Sequence, residues 1–378
     1  MKKIVLGIIL LLVVFLTTMF IYNAIYSYDS APLKMKELSL ADSSGTYFIP
    51  EHNYAKAMDS VVIPFLDSCK VSGVLTNNGR SIAYDYYLLK NPKASVVVSH
   101  GYTERKEKYK ELVYYFLKMG YQVFVPDHYG HGKSSRFNTD SSLVYVDNYN
   151  IFTNDLYHFV QKVVRPQSKG GKLILYAHSM GGGIAARAVQ QHPQMVDALI
   201  LNAPLMKMLN LPPDFIKDGL CRIMLLAGKG AGYTIGYRAY DWEKDSVYNP
   251  HAPATYCRAR GEYWHYKVRE LCSQPSNGAS WRLVSVFLKL SHDVVAPENV
   301  ANIRIPVLLF QAGNDNYVAP EGHYEFANQL QDIDFYHVSN AGHEIYFESD
   351  KYLRAYYNKI KSFADKIVIG QQKKEQTN

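Results

Sequence analysis

The stretch of the sequence that best indicates chemistry is residues 173–183, Leu-Ile-Leu-Tyr-Ala-His-Ser-Met-Gly-Gly-Gly. An apolar strand that breaks at one serine and continues through glycine into a helix is typical of a nucleophile elbow. The usual pattern is G-x-S-x-G, and here Ala177 stands at the first position, where a small side chain still permits the close packing of the turn. The sequence therefore predicts Ser179 as the nucleophile of an acyl-transfer reaction.

A serine nucleophile needs a histidine base that is oriented by a carboxylate. In a parallel sheet of this kind the chain order is Ser, Asp, His, and each residue follows a strand. Asp315 follows a predicted strand at 307–311, and His343 follows one at 334–338. Other candidates fit less well because none of them follows a strand: Asp293, His323 and His337. We predict a Ser179, Asp315, His343 triad.

Acyl transfer also needs N–H donors for the oxyanion that forms in the transition state. The backbone N–H of Met180, directly after the nucleophile, is one predicted donor. The other is the backbone N–H of Tyr102, which follows His100-Gly101 in the loop after the strand at 94–99. The alternative is that His100-Gly101 forms only a tight turn.

A second loop, residues 127–134, is rich in glycine and polar side chains. It contains Gly-Lys-Ser but lacks the earlier glycine of a phosphate-binding P-loop. We interpret it as a shaped loop beside the pocket, in which Asp127 hydrogen-bonds the loop backbone. His178 is interpreted as structural and not as a second base.

Strand and helix patterns alternate from about residue 70. Two runs, 70–75 and 81–89, flank Asn77-Asn78-Gly79 and predict a β-hairpin. The other apolar runs predict strands at residues 94–99, 122–126, 173–178, 196–202, 307–311 and 334–338. Helical periods between them indicate right-handed crossovers and a mostly parallel α/β sheet with helices on both faces.

The alternation is interrupted once, at residues 205–290, which predicts a cap inserted between two core strands. A helical stretch at 215–226 has apolar residues on one side, where they could receive an acyl chain or pack on the core. We divide the chain into a signal anchor or signal peptide (1–24), a linker (25–68), the first part of the core (69–204), the cap (205–290), the second part of the core (291–368) and a polar tail (369–378).

The N-terminus predicts attachment to a membrane. Two lysines precede a stretch at 4–22 that is long enough and apolar enough to cross a bilayer as a helix. A signal peptide has a shorter apolar region and a small-x-small cleavage site, so we favour an uncleaved signal anchor. The catalytic domain would then lie outside the cytoplasm, on the periplasmic or extracellular side. The alternative is secretion after cleavage.

Charge and cysteine content restrict the partners. The net charge is +7, yet the sequence contains no recognisable nucleic-acid-binding motif, so we expect no nucleic-acid partner. Attraction to anionic lipid and a merely solvated surface both explain the charge. The four cysteines fit an oxidising compartment but leave the disulfide pairing open, and no pair has the spacing of a metal site: Cys69, Cys221, Cys257 and Cys272.

Together these residues resemble the α/β-hydrolase superfamily. The resemblance is to its monoacylglycerol lipase and lysophospholipase branch, also grouped as serine aminopeptidase-like hydrolases. It extends over about residues 80–365 through His100-Gly101, 127–135, 177–182, Asp315 and His343. The resemblance implies an α/β-hydrolase fold, no metal or organic cofactor, and an apolar acyl pocket under a mobile cap.

The resulting hypothesis is a serine hydrolase that cleaves carboxylic esters of lipids with one acyl chain, a lysophospholipid or a monoacylglycerol, through an acyl-enzyme. One alternative is a serine aminopeptidase-like peptidase, in which acidic cap residues bind the substrate amine: Asp241, Glu243 or Glu262. Another alternative is an acyltransferase or a non-catalytic lipid-binding protein of the same fold.

Overall fold

The apolar runs form the strands of one central sheet. The structure, a computed structural model, describes Thr17 and residues 34–41, 45, 47–137, 140–209, 212–251, 254–271 and 275–376, with side chains up to residue 370. Its strands are β1 (Met35–Glu37), β2 (Lys70–Asn77), β3 (Arg80–Tyr87), β4 (Ala94–Ser99), β5 (Tyr121–Pro126), β6 (Leu143–Val144), β7 (Leu173–His178), β8 (Ala198–Asn202), β9 (Gly278–Ala279), β10 (Val307–Ala312) and β11 (Ile333–Val338).

Nine strands form the main sheet in the order β1-β11-β10-β8-β7-β4-β5-β3-β2, and β6 pairs separately with β9. Among the described strands of the main sheet only β3 runs against the others, antiparallel to β2 and to β5. The predicted hairpin is confirmed, and Asn78 and Gly79 at its turn have the positive φ values of a two-residue hairpin loop. The mostly parallel sheet is confirmed as well.

Helices cover both faces of this sheet, as predicted. They are α1 (residues 54–69, in three consecutive pieces), α2 (Lys110–Met119), α3 (residues 150–168, also in three pieces), α4 (Met180–Gln191), α5 (Asp214–Leu226), α6 (Arg258–Glu270), α7 (Trp281–Val295), α8 (Pro297–Val300), α9 (Pro320–Asn328) and α10 (Asp350–Gln376). Helices α1, α2 and α10 bury apolar side chains on one face. Helices α3, α4, α7 and α9 do so on the other.

The predicted linker at 25–68 is wrong for the part that the structure describes. β1 adds an edge strand to the sheet, parallel to β11. Helix α1 then buries one side chain per turn, which excludes a solvated linker: Tyr54, Met58, Val62 and Leu66. The burial of this apolar stripe against α2 and the neighbouring sheet face stabilises the segment.

Two further boundaries differ from the prediction. The predicted end of the cap at residue 290 falls inside α7, whose residues Leu283 and Leu290 are fully buried in the same apolar cluster as Ile184 of α4. Helix α7 therefore belongs to the core from its first turn, where the Ser280 hydroxyl accepts a hydrogen bond from the Leu283 N–H. The predicted polar tail at 369–378 is helical up to residue 376, as the end of α10.

The predicted anchor at 1–24 lies outside the described residues, apart from Thr17. Of the helices that the structure describes, none combines the length and the apolar character that a membrane span requires. Three described cysteines have free thiols, and Cys272 lies outside the described residues: Cys69, Cys221 and Cys257.

Candidate active site

The nucleophile elbow forms where β7 ends and α4 begins. Ser179 has φ 52° and ψ −122°, a strained conformation for a residue with a side chain. Two backbone hydrogen bonds maintain this strained conformation. The Ser179 N–H donates to the carbonyl of Asn202, the last residue of β8, at 3.1 Å, and the Leu205 N–H, just after β8, donates to the Ser179 carbonyl at 2.7 Å. The serine hydroxyl is thereby presented at the carboxyl edge of the sheet.

Glycine is required after the elbow because α4 passes very close to neighbouring backbone. A Cβ on Gly181 would lie 2.3 Å from the Ser99 carbonyl oxygen at the end of β4. A Cβ on Gly183 would lie 2.5 Å from the Leu205 carbonyl oxygen. The glycines following the serine in the sequence therefore let the helix start directly beside β4 and β8.

In the predicted triad, His343 lies within hydrogen-bonding distance of both Ser179 and Asp315. His343 Nε2 is 2.8 Å from Ser179 Oγ. His343 Nδ1 is 2.7 Å from Asp315 Oδ2. Since the carboxylate accepts from Nδ1–H, Nε2 carries the lone pair that can accept the serine proton. The residues follow β7, β10 and β11 as predicted.

Asp315 is held in its ionised form. Burial acts to raise its pKa, but the hydrogen bond to His343 and the charge of His343 act in the opposite sense. The backbone N–H groups of Tyr317 and Val318 also donate to Asp315 Oδ1, at 2.8 and 3.0 Å. The pKa of Asp315 therefore lies below the usual aspartate value. A carboxylate that keeps its charge is suited to stabilise an imidazolium.

The two predicted oxyanion residues are Met180, within the elbow, and Tyr102, in a neighbouring loop. Met180 is the first residue of α4, so its N–H has no partner within the helix. The loop before Tyr102 lies beside the elbow, because a Cβ on Gly101 would be 3.0 Å from the His178 ring. Within the described part of the chain, the N–H groups of Tyr102 and Met180 donate to no other group. Both are available to a ligand.

A buried acidic network behind this loop was not foreseen from the sequence. Glu104 accepts hydrogen bonds from the Gly101 N–H at 2.6 Å, from the Lys108 ammonium at 2.7 Å and from the Tyr346 hydroxyl at 2.7 Å. Burial acts to raise the pKa of Glu104, but the partners of its carboxylate, Lys108 first among them, together outweigh burial and hold the pKa below the usual value. Lys108 also pairs with Glu344, next to His343. The network joins the loop that contains Tyr102 to the loop that contains His343.

The residues expected to be structural have that role. Asp127 Oδ1 accepts from the Lys106 N–H at 2.8 Å and Oδ2 from the Lys133 N–H at 3.0 Å, so it ties its loop as predicted. The ring of His178 packs 4.7 Å from that of His343 and is fully buried. Burial lowers the pKa of His178 to about 3, so it is a neutral ring at physiological pH.

The alternative aspartate and histidine candidates for the triad contact groups other than Ser179. Asp293 pairs with Lys289 on α7, His323 contacts the Pro204 carbonyl, and His337 pairs with Glu37 of β1. The acidic residues considered for amine binding lie on the cap. Asp241 pairs with Lys244, Glu262 pairs with Arg258, and Glu243 is exposed.

A polar cavity of about 520 Å³ separates the cap from the core beside the triad. Its wall includes Tyr317, whose ring lies 4.8 Å from the ring of His343. Two of its cations come from different parts of the chain, Lys108 from the core and Arg269 from the cap. The cavity can therefore accommodate a polar group attached to a substrate at the triad.

The chain matches the model of the Hydrolase_4 family, described as serine aminopeptidase S33, over residues 90–350. It belongs to this family. The matched range contains the whole Ser179, Asp315, His343 triad and both predicted oxyanion residues. The α/β-hydrolase assignment made from the sequence is confirmed.

Two proteins similar to this chain carry the names lysophospholipase and monoglyceride lipase. A probable lysophospholipase L2 of Haemophilus influenzae is 26% identical over 317 residues, which cover 82% of this chain and 96% of the relative. A monoglyceride lipase homolog of monkeypox virus is 29% identical over 277 residues, covering 72% and 89% of the two chains. These relatives correspond to this chain over most of their length.

Solved structures support the fold. The crystal structure of a soluble variant of monoglyceride lipase from Saccharomyces cerevisiae, in complex with a substrate analog, has a TM-score of 0.61 at 21% identity and covers 79% of this chain and 94% of its own. A carboxyl esterase from Bacillus coagulans has a TM-score of 0.63 at 18% identity and covers 79% and 99%. At these identities the likeness concerns the fold alone.

Proposed function

We propose that this protein is a serine hydrolase that cleaves the carboxylic ester of a lipid with one acyl chain, a lysophospholipid or a monoacylglycerol. The observation that carries the proposal is the continuous hydrogen-bonded chain Ser179, His343, Asp315 at the strained elbow. The strain and the order of the three groups match the requirements of covalent acyl transfer.

In the proposed mechanism Ser179 Oγ attacks the ester carbonyl while His343 Nε2 takes its proton. Asp315 holds the ring and stabilises the imidazolium that forms. The N–H groups of Tyr102 and Met180 bind the oxyanion, and each such donor typically contributes about 2.7–4 kcal/mol. His343 then protonates the leaving alkoxide. Water, activated by the same histidine, attacks the acyl-enzyme and releases the fatty acid.

Two features support a lipid substrate. The relatives named above are lysophospholipases and monoglyceride lipases. The cap helix α5 exposes large apolar side chains, among them Ile223 at 62% and Leu226 at 90% of their surface. Such side chains are available to acyl chains. Arg269 of the cap, which lines the polar cavity, favours a phosphate-bearing head group.

The proposal is tested by labelling with a fluorophosphonate probe and by comparing substrates. Wild-type protein should label, and Ser179→Ala should not. Hydrolysis of lysophosphatidylcholine and monoacylglycerol should exceed that of p-nitrophenyl acetate in kcat/KM. Activity on short esters alone would contradict the lipid substrate. Faster turnover of aminoacyl-arylamides would point to the peptidase, and transfer to added alcohols in preference to water would point to the acyltransferase.

We also propose that residues 4–22 anchor the protein in a membrane with the catalytic domain outside the cytoplasm. The support is the length and apolar character of this stretch, and the compact catalytic unit begins only at Lys34. After alkaline carbonate washing, the full chain should stay with the membranes, and a variant lacking residues 1–33 should not. Recovery of the full chain in the wash would contradict the anchor.

A further inference from the structure

A short segment of the cap contacts the loop that carries the catalytic histidine. We call residues 254–257 the strap. On the carboxyl side of His343, the Glu344 N–H donates to the Ala254 carbonyl at 2.8 Å. The Thr255 hydroxyl donates to the Phe347 carbonyl at 2.8 Å. The strap therefore binds backbone that follows His343.

On the amino side of His343 the connection runs through one carboxylate. Glu348 is 1% exposed, and its Oε1 accepts from the Gly342 N–H at 2.8 Å and from the Tyr256 N–H at 3.0 Å. Gly342 directly precedes His343, and Tyr256 belongs to the strap. A single oxygen atom thus joins the cap to the residue before the proposed base.

The strap also contacts Gly342 directly. A Cβ on Gly342 would lie only 2.6 Å from the Ala254 carbonyl oxygen, so the two backbones touch. Any displacement of the strap toward the core would push on the residue before His343. Any displacement away from the core would leave Glu348 to hold Gly342 alone.

The strap is itself fixed to the core at the start of α6. Arg260 is fully buried and pairs with the buried Glu111 of α2 at 3.0 Å. It also donates to the Ile49 carbonyl at 2.7 Å and pairs with Asp350 at 2.9 Å. This part of the cap is therefore attached to the buried core, in contrast to the exposed α5.

We propose that Glu348 is a positioning residue for His343. Its Oε1 holds Gly342 in a fixed position relative to the strap. The position of Gly342 in turn sets the distance from His343 Nε2 to Ser179 Oγ. The inference rests on the proposed function, since it assigns Glu348 a part in that same catalytic step. A displacement of about 1 Å in a reacting group is enough to lower a rate by about 100-fold.

The test compares Glu348→Ala with Glu348→Gln. Glutamine keeps a carbonyl oxygen where Oε1 stands and so keeps both hydrogen bonds, whereas alanine removes them. For Glu348→Ala we expect kcat on p-nitrophenyl butyrate to fall by about 100-fold with little change in KM, and fluorophosphonate labelling to slow by the same factor. Glu348→Gln should regain most of both rates.

Asp350→Asn is the matched control, because it weakens the attachment of Arg260 and leaves both hydrogen bonds of Glu348 Oε1 in place. It should lower the melting temperature and leave kcat near that of the wild type. Thr255→Val gives a second, conservative way to loosen the strap if Glu348→Ala does not fold. It should lower kcat, by less than Glu348→Ala would.

Three results would each overturn the inference. The first is a wild-type kcat in folded Glu348→Ala, or in Thr255→Val if Glu348→Ala does not fold. The second is an equal loss of kcat in Glu348→Ala and Glu348→Gln, and the third is an equal loss of kcat in Glu348→Ala and Asp350→Asn. The last would mean that general loosening of the cap is responsible. Failure of the wild type to react with the fluorophosphonate would instead contradict the proposed function, so the two failures are distinguishable.

Discussion

At the scale of single residues, the proposed site depends on an aspartate whose partners differ from those of other acidic residues. Asp315 accepts hydrogen bonds from the His343 ring and from two backbone N–H groups, whereas Asp293 pairs with the exposed Lys289. Loss of the Asp315 charge leaves the imidazole without the partner that sets its tautomer.

Asp315→Asn should therefore lower kcat on p-nitrophenyl butyrate by about 10⁴-fold, the loss typical of this change in a triad. Asp293→Asn is the control and should keep kcat near the wild-type value. Steady-state kinetics with purified proteins checks both. Comparable losses in the two variants would show that Asp315 has no special role.

At the scale of elements, the elbow depends on the approach of α4 to β4. Gly181→Ala would place a Cβ 2.3 Å from the Ser99 carbonyl oxygen and 2.4 Å from that of His100, and neither is a flexible side chain. We expect a lower melting temperature and loss of fluorophosphonate labelling, because the helix must shift away from the strand that precedes the oxyanion loop.

Gly219→Ala in α5 is the matched control. Nothing lies within 4 Å of a Cβ at this position, and the residue is inside a helix. Alanine should stabilise this helix by up to about 1 kcal/mol without affecting labelling. Thermal unfolding and labelling of both variants provide the check. A Gly181→Ala protein that labels at the wild-type rate would contradict this account of the elbow.

Local patterns explain which elements could be predicted. The elbow, the hairpin and the strand ends that precede Asp315 and His343 are each encoded within about ten residues. β1 is only three residues long and depends on a partner strand about 300 positions away. The buried stripe of α1 recurs every fourth residue, a signal that was present in the sequence but is interrupted by Pro64. Glu348 could not be assigned because its partner Tyr256 is distant in sequence.

At the scale of the whole molecule, buried histidines make stability depend on pH. Burial lowers the pKa of five of them: His100, His128, His131, His178 and His323. Below about pH 6.5 the unfolded chain binds protons that the folded chain does not. The free energy of unfolding should therefore decrease as the pH falls, by at most about 1.4 kcal/mol per pH unit for each such histidine.

Three buried carboxyl groups with raised pKa values act in the opposite sense and reduce this slope: Asp85, Glu344 and Glu348. Denaturant unfolding at pH 7.5, 6.5 and 5.5 measures the net effect. His131→Gln removes one group whose pKa burial lowers to about 3, and should make the dependence shallower. Stability that is constant over this range would contradict the prediction.

The edge strand β1, near the N-terminus, contributes to the stability of the whole catalytic unit. A variant that lacks residues 1–33 keeps β1 and should melt at the temperature of the full catalytic unit. Removal of residues 1–40 also deletes the pairing with β11 and the buried Leu38, which is 3% exposed. We expect it to lose about 2 kcal/mol or more of stability. Equal melting temperatures for the two deletions would show that β1 is dispensable.

The attachment of the strap has a consequence for how substrate preference can diverge or be engineered. Residues 212–251, which include α5, form none of the hydrogen bonds of Glu348 Oε1, so we expect that they can be exchanged for those of a relative without disturbing the support of the proposed base. An exchange that extends through residues 254–260 must bring the matching loop 342–350 with it, because Glu348 and Gly342 fit this strap. On this basis the cap consists of one interchangeable part and one part that is inherited together with the proposed catalytic histidine.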